Sequence, residues 1–174
     1  MTTDASLIEM VGSKKVHSPD EFLAAYDQTG DLCMTLQQAI EFDEYFRCYV
    51  VGQEKVHVMR YEPRNPHHLR YVQSPAPIES PKYERLAGDA LKLCRALGYD
   101  LNTVELAMQH GIPYAIDFLN PAPDADYHSV GPDNFTWIVN TMADFAVKKA
   151  LSDEQPLREY RWASFLDPAP QSLP

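Results

Sequence analysis

The chain has 174 residues, 45% of them hydrophobic, which suffices for one domain with a substantial core but not for two full domains. Its 25 acidic against 15 basic residues give a net charge of -10, which disfavours a nucleic-acid backbone or an anionic membrane as a general partner. No run approaches the roughly 18 apolar residues needed to span a bilayer, and the start of the chain lacks a signal peptide's basic and apolar regions, so a soluble, cytoplasmic protein is expected.

In chain order, Ser18, Pro19, Asp20 and Glu21 open a helix: Ser18 can cap, Pro19 suits the first turn, Glu21 completes a capping box, and Gly30 ends the element. Residues 32–40 read as a buried strand. The three cysteines, Cys33, Cys48 and Cys94, form no CxxC pair and lie in periodic apolar runs, so they are assigned to the core as reduced thiols. Residues 45–51 and 55–61 read as a hairpin around Gly52, Gln53 and Glu54. A two-residue turn at Gln53 and Glu54 would set Arg47 opposite Arg60. Two facing guanidinium groups need an anion, and phosphate suits arginine's planar fork. The plainer alternative pairs each arginine separately with Glu41, Asp43, Glu44 or Glu62.

Five prolines punctuate residues 63–81, an irregular segment with one short strand expected at 69–72. A helix follows over 80–97, with Leu86, Ala90, Leu93, Cys94 and Leu97 on one stripe and Gly98 as its stop. Next come two short alternating runs turning at His110 and Gly111, which set Glu105 and Asp117 on one face, directly opposite each other. Cross-strand side chains are about 5 Å apart, and two like charges there are destabilising unless something positive lies between them. A hard cation such as Mg2+ is the simplest candidate, with solvated carboxylates or a register slip as the alternative. Asp133 is expected to cap a last helix carrying Phe135, Ile138, Val139, Met142 and Phe145 on one side, with Lys148 and Lys149 near its end. The expected division is one domain over 1–152, with a linker at about 62–80, and a Pro-rich tail over 153–174.

Other chemistries find no support. The six histidines show no HExxH pattern or helical i,i+4 spacing, no serine lies in a GxSxG elbow, and neither GxGxxG nor GxxxxGK[ST] occurs. Antiparallel hairpins with packed helices imply an α+β lobe.

Taken in order, these elements resemble the C-terminal part of an ATP-grasp ligase, the fold shared by glutathione synthetase and the ribosomal-protein glutamate ligases. Leu36, Gln37, Gln38, Ala39 and Ile40 look like the strand ending that frames the adenine, and Glu44 lies where an acidic residue often meets the ribose. The strand with Arg47, Val50 and Gly52 resembles the family's R-x-x-V-x-G strand, and Val58, Met59 and Arg60 the returning strand whose arginine contacts phosphate. Glu105 corresponds to the first metal ligand, Asp117 and Asn120 to the remaining acid and amide. The match spans roughly residues 12 to 147. It implies ATP and Mg2+ as cofactors, small carboxylate and amine substrates, and ligation through an acylphosphate. A homo-oligomer is compatible with this reading.

The departures from the pattern are specific. Gln38 stands where many members have glutamate. Asp117 and Asn120 are three positions apart instead of two, so the strand must bend or bulge before Pro121 for both to meet one metal. The family's first ATP-grasp lobe has no counterpart in these residues; Lys14 and Lys15 are weak substitutes for its two lysines. The expectation is therefore a truncated domain, weakly active or inactive alone, or else a non-catalytic binding or scaffolding module that keeps the half-fold.

Overall fold

A computed structural model describes residues 15–72 and 76–152. Four helices and four strands follow in the order α1 (Pro19–Tyr26), β1 (Glu44–Val51), β2 (Lys55–Arg60), α2 (Ser80–Leu97), β3 (Leu101–Gln109), β4 (Ile112–Asn120), α3 (Tyr127–Val130) and α4 (Pro132–Ala150). The strands form one antiparallel sheet in the order β2-β1-β3-β4, and β1, in its interior, is buried from Tyr45 to Val51. This is the expected α+β lobe.

Because side chains alternate across a sheet, β1 and β3 feed two separate cores. On one face Phe46, Cys48, Val50, Val104 and Leu106 pack against Leu86, Ala90 and Cys94 of α2. On the other, Tyr45, Tyr49, Met59 and Ala107 pack with Tyr61, Tyr71, Val130 and Ile138, the last from α4. Each fully buried aliphatic such as Leu86 contributes about 1.5–3 kcal/mol. The α2 stripe forms as the sequence implies, and Gly98, at φ 77°, ends the helix with its N–H on the Cys94 carbonyl at 2.9 Å.

Ser18 caps α1 by accepting from the Glu21 N–H at 3.2 Å, while Glu21 reaches back to the His17 N–H at 2.8 Å. Other expectations are corrected. Residues 32–40 form no strand; Leu32 and Leu36 are each 64% exposed, and apolar content without a neighbouring ladder does not make a strand. Cys33, lying in that segment, is exposed, whereas Cys48 and Cys94 are buried. Residues 69–72 reduce to one bridge between Tyr61 and Tyr71. Asp133 is not a cap: α4 starts after Gly131 with Pro132 in its first turn, and the side-chain cap is Asp126, which serves α3. Val139 is 44% exposed rather than in the core. The tail at 153–174 lies outside the described residues.

The packing of α4 on the sheet depends partly on His57. Its ring stacks on Trp137 at 4.7 Å, and its Nε2 lies 2.7 Å from Asn134 Oδ1. Since Asn134 donates its amide N–H to the Val130 carbonyl at 2.7 Å, its Oδ1 is the acceptor and His57 must donate through Nε2–H. Burial lowers the His57 pKa below its ordinary 6.5, only partly opposed by the Asn134 hydrogen bond. The unfolded chain therefore binds this proton more readily than the folded one. Stability should be level above about pH 6.5 and decline as pH falls from there towards the depressed folded value. Glu44 and Glu62, with pKa values lowered below 4.5, act only at more acidic pH. Urea melts between pH 5 and 7 should show this slope in the native protein and its loss in His57→Gln. An equal slope in both would assign it to another group.

Candidate functional site

The β3–β4 hairpin turns through His110 and Gly111, at φ 52° and 78°, the left-handed pair that a two-residue connection requires. Pairing then runs regularly from Gln109 with Ile112 to Leu106 with Ala115. One further regular step would set Glu105 against Ile116. Instead a bulge in β4 sets Glu105 against Asp117, and a second irregularity sets Thr103 against Asn120. Two steps along β3, from Glu105 to Thr103, thus face three steps along β4, which returns Asn120 to the side of Asp117. Both the facing carboxylates and the bend required before Pro121 are present.

Asn102 holds this bend. Fully buried, it accepts the Asn120 N–H at 2.9 Å and donates to the Phe118 carbonyl at 2.8 Å. It thereby pairs backbone groups that the bulge removes from the ladder. A lone asparagine at a position otherwise facing an apolar helix was the sequence signal for it.

Glu105 is only 8% exposed, yet it is not left beside Asp117 with its charge unmatched. Its Oε2 accepts the Tyr45 hydroxyl at 2.6 Å, and its Oε1 lies 3.4 Å from Arg47 Nε, an ion pair. Arg47 is caged in turn. Its NH1 donates to the Tyr71 hydroxyl at 2.8 Å, and its guanidinium lies 5.2 Å and 5.8 Å from the ring centres of Tyr61 and Tyr71. Burial opposes its charge, but Tyr71, Glu105 and Tyr61 outweigh this and keep its pKa above the ordinary arginine value. Burial also pushes the Tyr71 and Tyr61 hydroxyls up, so both stay neutral, the Tyr71 oxygen accepting from Arg47. Among the described residues, two buried side-chain polar atoms, Arg47 Nε and Thr103 Oγ1, lack a hydrogen bond; for Nε the ion pair is out of hydrogen-bond geometry. Asp117 is exposed and accepts the Leu119 N–H at 3.3 Å. Part of the positive charge sought from a cation is thus supplied by the chain itself.

The expectation that Arg47 and Arg60 face each other is corrected. Arg60 pairs with Phe46 and Arg47 with Met59, because the connection has three residues, with Gly52 and Gln53 at φ 61° and 56°. A one-residue shift sends a side chain to the opposite face. Arg60 lies on the α2 face, donating to Glu44 at 2.7 Å and to the Ala76 carbonyl at 3.3 Å, 5.4 Å from the Phe46 ring centre. Glu44 also accepts from Lys82, and the Lys82 and Arg60 hydrogen bonds hold its pKa low. For Arg60 the separate-pairing alternative holds, whereas Arg47 pairs with Glu105, outside the four acids expected. Of the adenine-framing candidates, Gln37 reaches the Ile116 carbonyl at 3.4 Å and Ile40 packs on the α4-face core, while Gln38 is exposed. The register therefore brings Arg47, Glu105, Asp117 and Asn120 to the α4 face, where Ile40 also packs, and leaves Glu44 and Arg60 on the other. The tyrosines around Arg47 and Glu105 fall in no motif that would single them out in the sequence.

Among the described residues, no three His, Cys, Asp or Glu side chains converge as a metal centre. Two carboxylates and an amide on one face nevertheless suit Mg2+, a hard cation usually held by one or two protein carboxylates together with substrate phosphates. No helix among the described residues is long and apolar enough to cross a membrane.

No protein-family profile matches the sequence, and no curated protein matches it. Solved structures do. The fold is that of an ATP-grasp lobe, as its likeness to D-alanine–D-alanine ligases indicates. The Bacillus anthracis ligase complexed with ATP matches with a TM-score of 0.61 at 15% identity, over 82% of this chain and 53% of that one. A second structure of that ligase matches at 0.58 and 15%, over 80% and 51%. The chain thus spans about half the length of these ligases, and the likeness is one of fold, above the level of subfamily.

Proposed function

We propose that this lobe forms one wall of a Mg-ATP site in a carboxylate-amine ligase. The observation that carries the reading is the double irregularity in β4, which turns Asp117 and Asn120 to the face of Glu105 on a fold shared with an ATP-bound ligase. Glu105, Asp117 and Asn120 would hold Mg2+, and Gln37, Gln38 and Ile40 would border the adenine. When bound, Mg2+ would neutralise charge on the phosphates. The chain's part is to position them while the substrate carboxylate takes the γ-phosphoryl group as an acylphosphate and an amine then displaces phosphate. Arg60 and Glu44, being on the α2 face, are left out of this site.

The 174-residue chain should bind Mg-ATP weakly and turn it over slowly. Calorimetry with Mg-ATP tests this; micromolar affinity with steady turnover would overturn the half-site reading. Asp117→Ala should remove the Mg2+-dependent part of ATP binding with little change in stability, since Asp117 is exposed. Unchanged affinity would take Asp117 out of the site.

The satisfied state of Glu105, bonded to Tyr45 and paired with Arg47, favours one other reading, a non-catalytic binding module that keeps the fold. On that reading neither Mg2+ nor Mn2+ affects ATP binding.

A further inference from the structure

Arg47 is conspicuous at a phosphate site because almost none of it is accessible. It is 7% exposed, lies 5.2 Å and 5.8 Å from the centres of the adjoining Tyr61 and Tyr71 rings, and gives NH1 to the Tyr71 hydroxyl. Its one anionic neighbour shown at ion-pair distance is the Glu105 carboxylate. Tyr71 comes from the segment after β2, tied down by the Tyr61–Tyr71 bridge, so the two rings and the Tyr71 hydroxyl fix the guanidinium beside Glu105 of β3. Glu105 in turn is gripped at one oxygen by Tyr45 and approached at the other by Arg47, so both neighbours act directly on the carboxylate that the Mg-ATP reading gives to the metal.

We propose that Arg47 does not meet the nucleotide: it is the resident counter-cation of Glu105, and with Tyr45 it positions that carboxylate and tunes its grip on a divalent metal. This rests on the Mg-ATP reading of the same site. The two partners act with opposite sign. Arg47 carries a full positive charge next to the ligand oxygen, so it repels an incoming cation. Tyr45 is neutral and orients the carboxylate, so it helps one bind. A residue that merely supported the fold would lower metal binding in either case.

The test is Mn2+ binding without nucleotide, followed by electron paramagnetic resonance on the full 174-residue chain, together with ATP binding in EDTA. Arg47→Gln should tighten Mn2+ binding about tenfold by removing the competing charge. Mn2+ should also raise its melting temperature more than that of the native chain. Tyr45→Phe should weaken Mn2+ binding about tenfold, the usual effect of losing a residue that orients a metal ligand. Arg47→Lys keeps the charge and should stay within about threefold of native for both ligands. If Arg47→Gln does not fold, Tyr45→Phe and Arg47→Lys decide the matter. Weaker metal-free ATP binding in Arg47→Lys would make Arg47 a phosphate contact and overturn the inference, leaving the site reading intact. Equal weakening of Mn2+ binding in Arg47→Gln and Tyr45→Phe, or no change in Tyr45→Phe, would also overturn it. A native chain that binds Mn2+ neither alone nor with ATP would sink the site reading and this inference with it.

Discussion

Replacing Asn102 with Leu is expected to destabilise the protein by about 2–5 kcal/mol and to undo the bend that carries Asn120. The side chain is fully buried and serves two backbone groups of β4, the Asn120 N–H at 2.9 Å and the Phe118 carbonyl at 2.8 Å. Leucine has the same branched shape with the same number of side-chain heavy atoms but is bulkier, so some crowding adds to the main loss, two part-buried polar groups left without partners at about 1–3 kcal/mol each. The chain can escape part of that cost by sliding β4 into a regular ladder. Such a slide would move Asn120 off the face of Asp117, and any metal affinity shared by the two would fall with it. Urea denaturation and Mn2+ titration of Asn102→Leu read the two effects separately. A stable variant with native Mn2+ affinity would show that the bulge holds itself and that Asn102 is only its neighbour. Asn102→Asp is the sharper companion: it keeps an acceptor for the Asn120 N–H but sets a carboxylate oxygen against the Phe118 carbonyl, so it should be at least as destabilising.

How legible this was depended on the range of the interactions involved. The α2 helix could be read because its stripe and its Gly98 stop are local, and the β3–β4 turn because His110 and Gly111 supply both positive φ values within two residues. Glu105 opposite Asp117 was reached with the right partners but an incomplete reason: a regular two-residue hairpin gives Ile116 instead, and the bulge supplies the remaining step. The need for a bend before Pro121 was legible from the three-position spacing of Asp117 and Asn120; what makes the bend, Asn102, sits on the neighbouring strand. The pairing of Arg47 with Arg60 failed on one residue of turn length. Gln53 at φ 56° joins Gly52 and Glu54 in a three-residue connection, and that single shift divides the arginines between two faces. The grouping of Tyr61 and Tyr71 at Arg47 and of Tyr45 at Glu105 was beyond reach because its members come from three segments that meet only in the folded sheet.

Gly52→Ala should cost about 2–4 kcal/mol, from two sources that can be measured apart. Gly52 lies at φ +61°, where a Cβ costs about 1 kcal/mol or more. Its N–H is also tied to the Asp100 carbonyl at 2.6 Å, so the turn cannot easily relax to another conformation. In addition, a Cβ here would lie 2.7 Å from Cδ2 and 3.0 Å from Cε2 of Phe145, forcing the ring of α4 to shift at about 1–3 kcal/mol. Phe145→Ala removes the atoms that clash but leaves the backbone as it is. In that background Gly52→Ala should cost only the conformational part, about 1 kcal/mol, and the difference between the two backgrounds measures how firmly α4 is seated over the β1–β2 turn. At this chain length each kcal/mol lowers the melting temperature by about 2–4 °C, within reach of a thermal scan. Equal losses in both backgrounds would mean that α4 gives way at no cost over this turn, and that Ile138 and the His57–Trp137 stack in its first half hold it against the sheet.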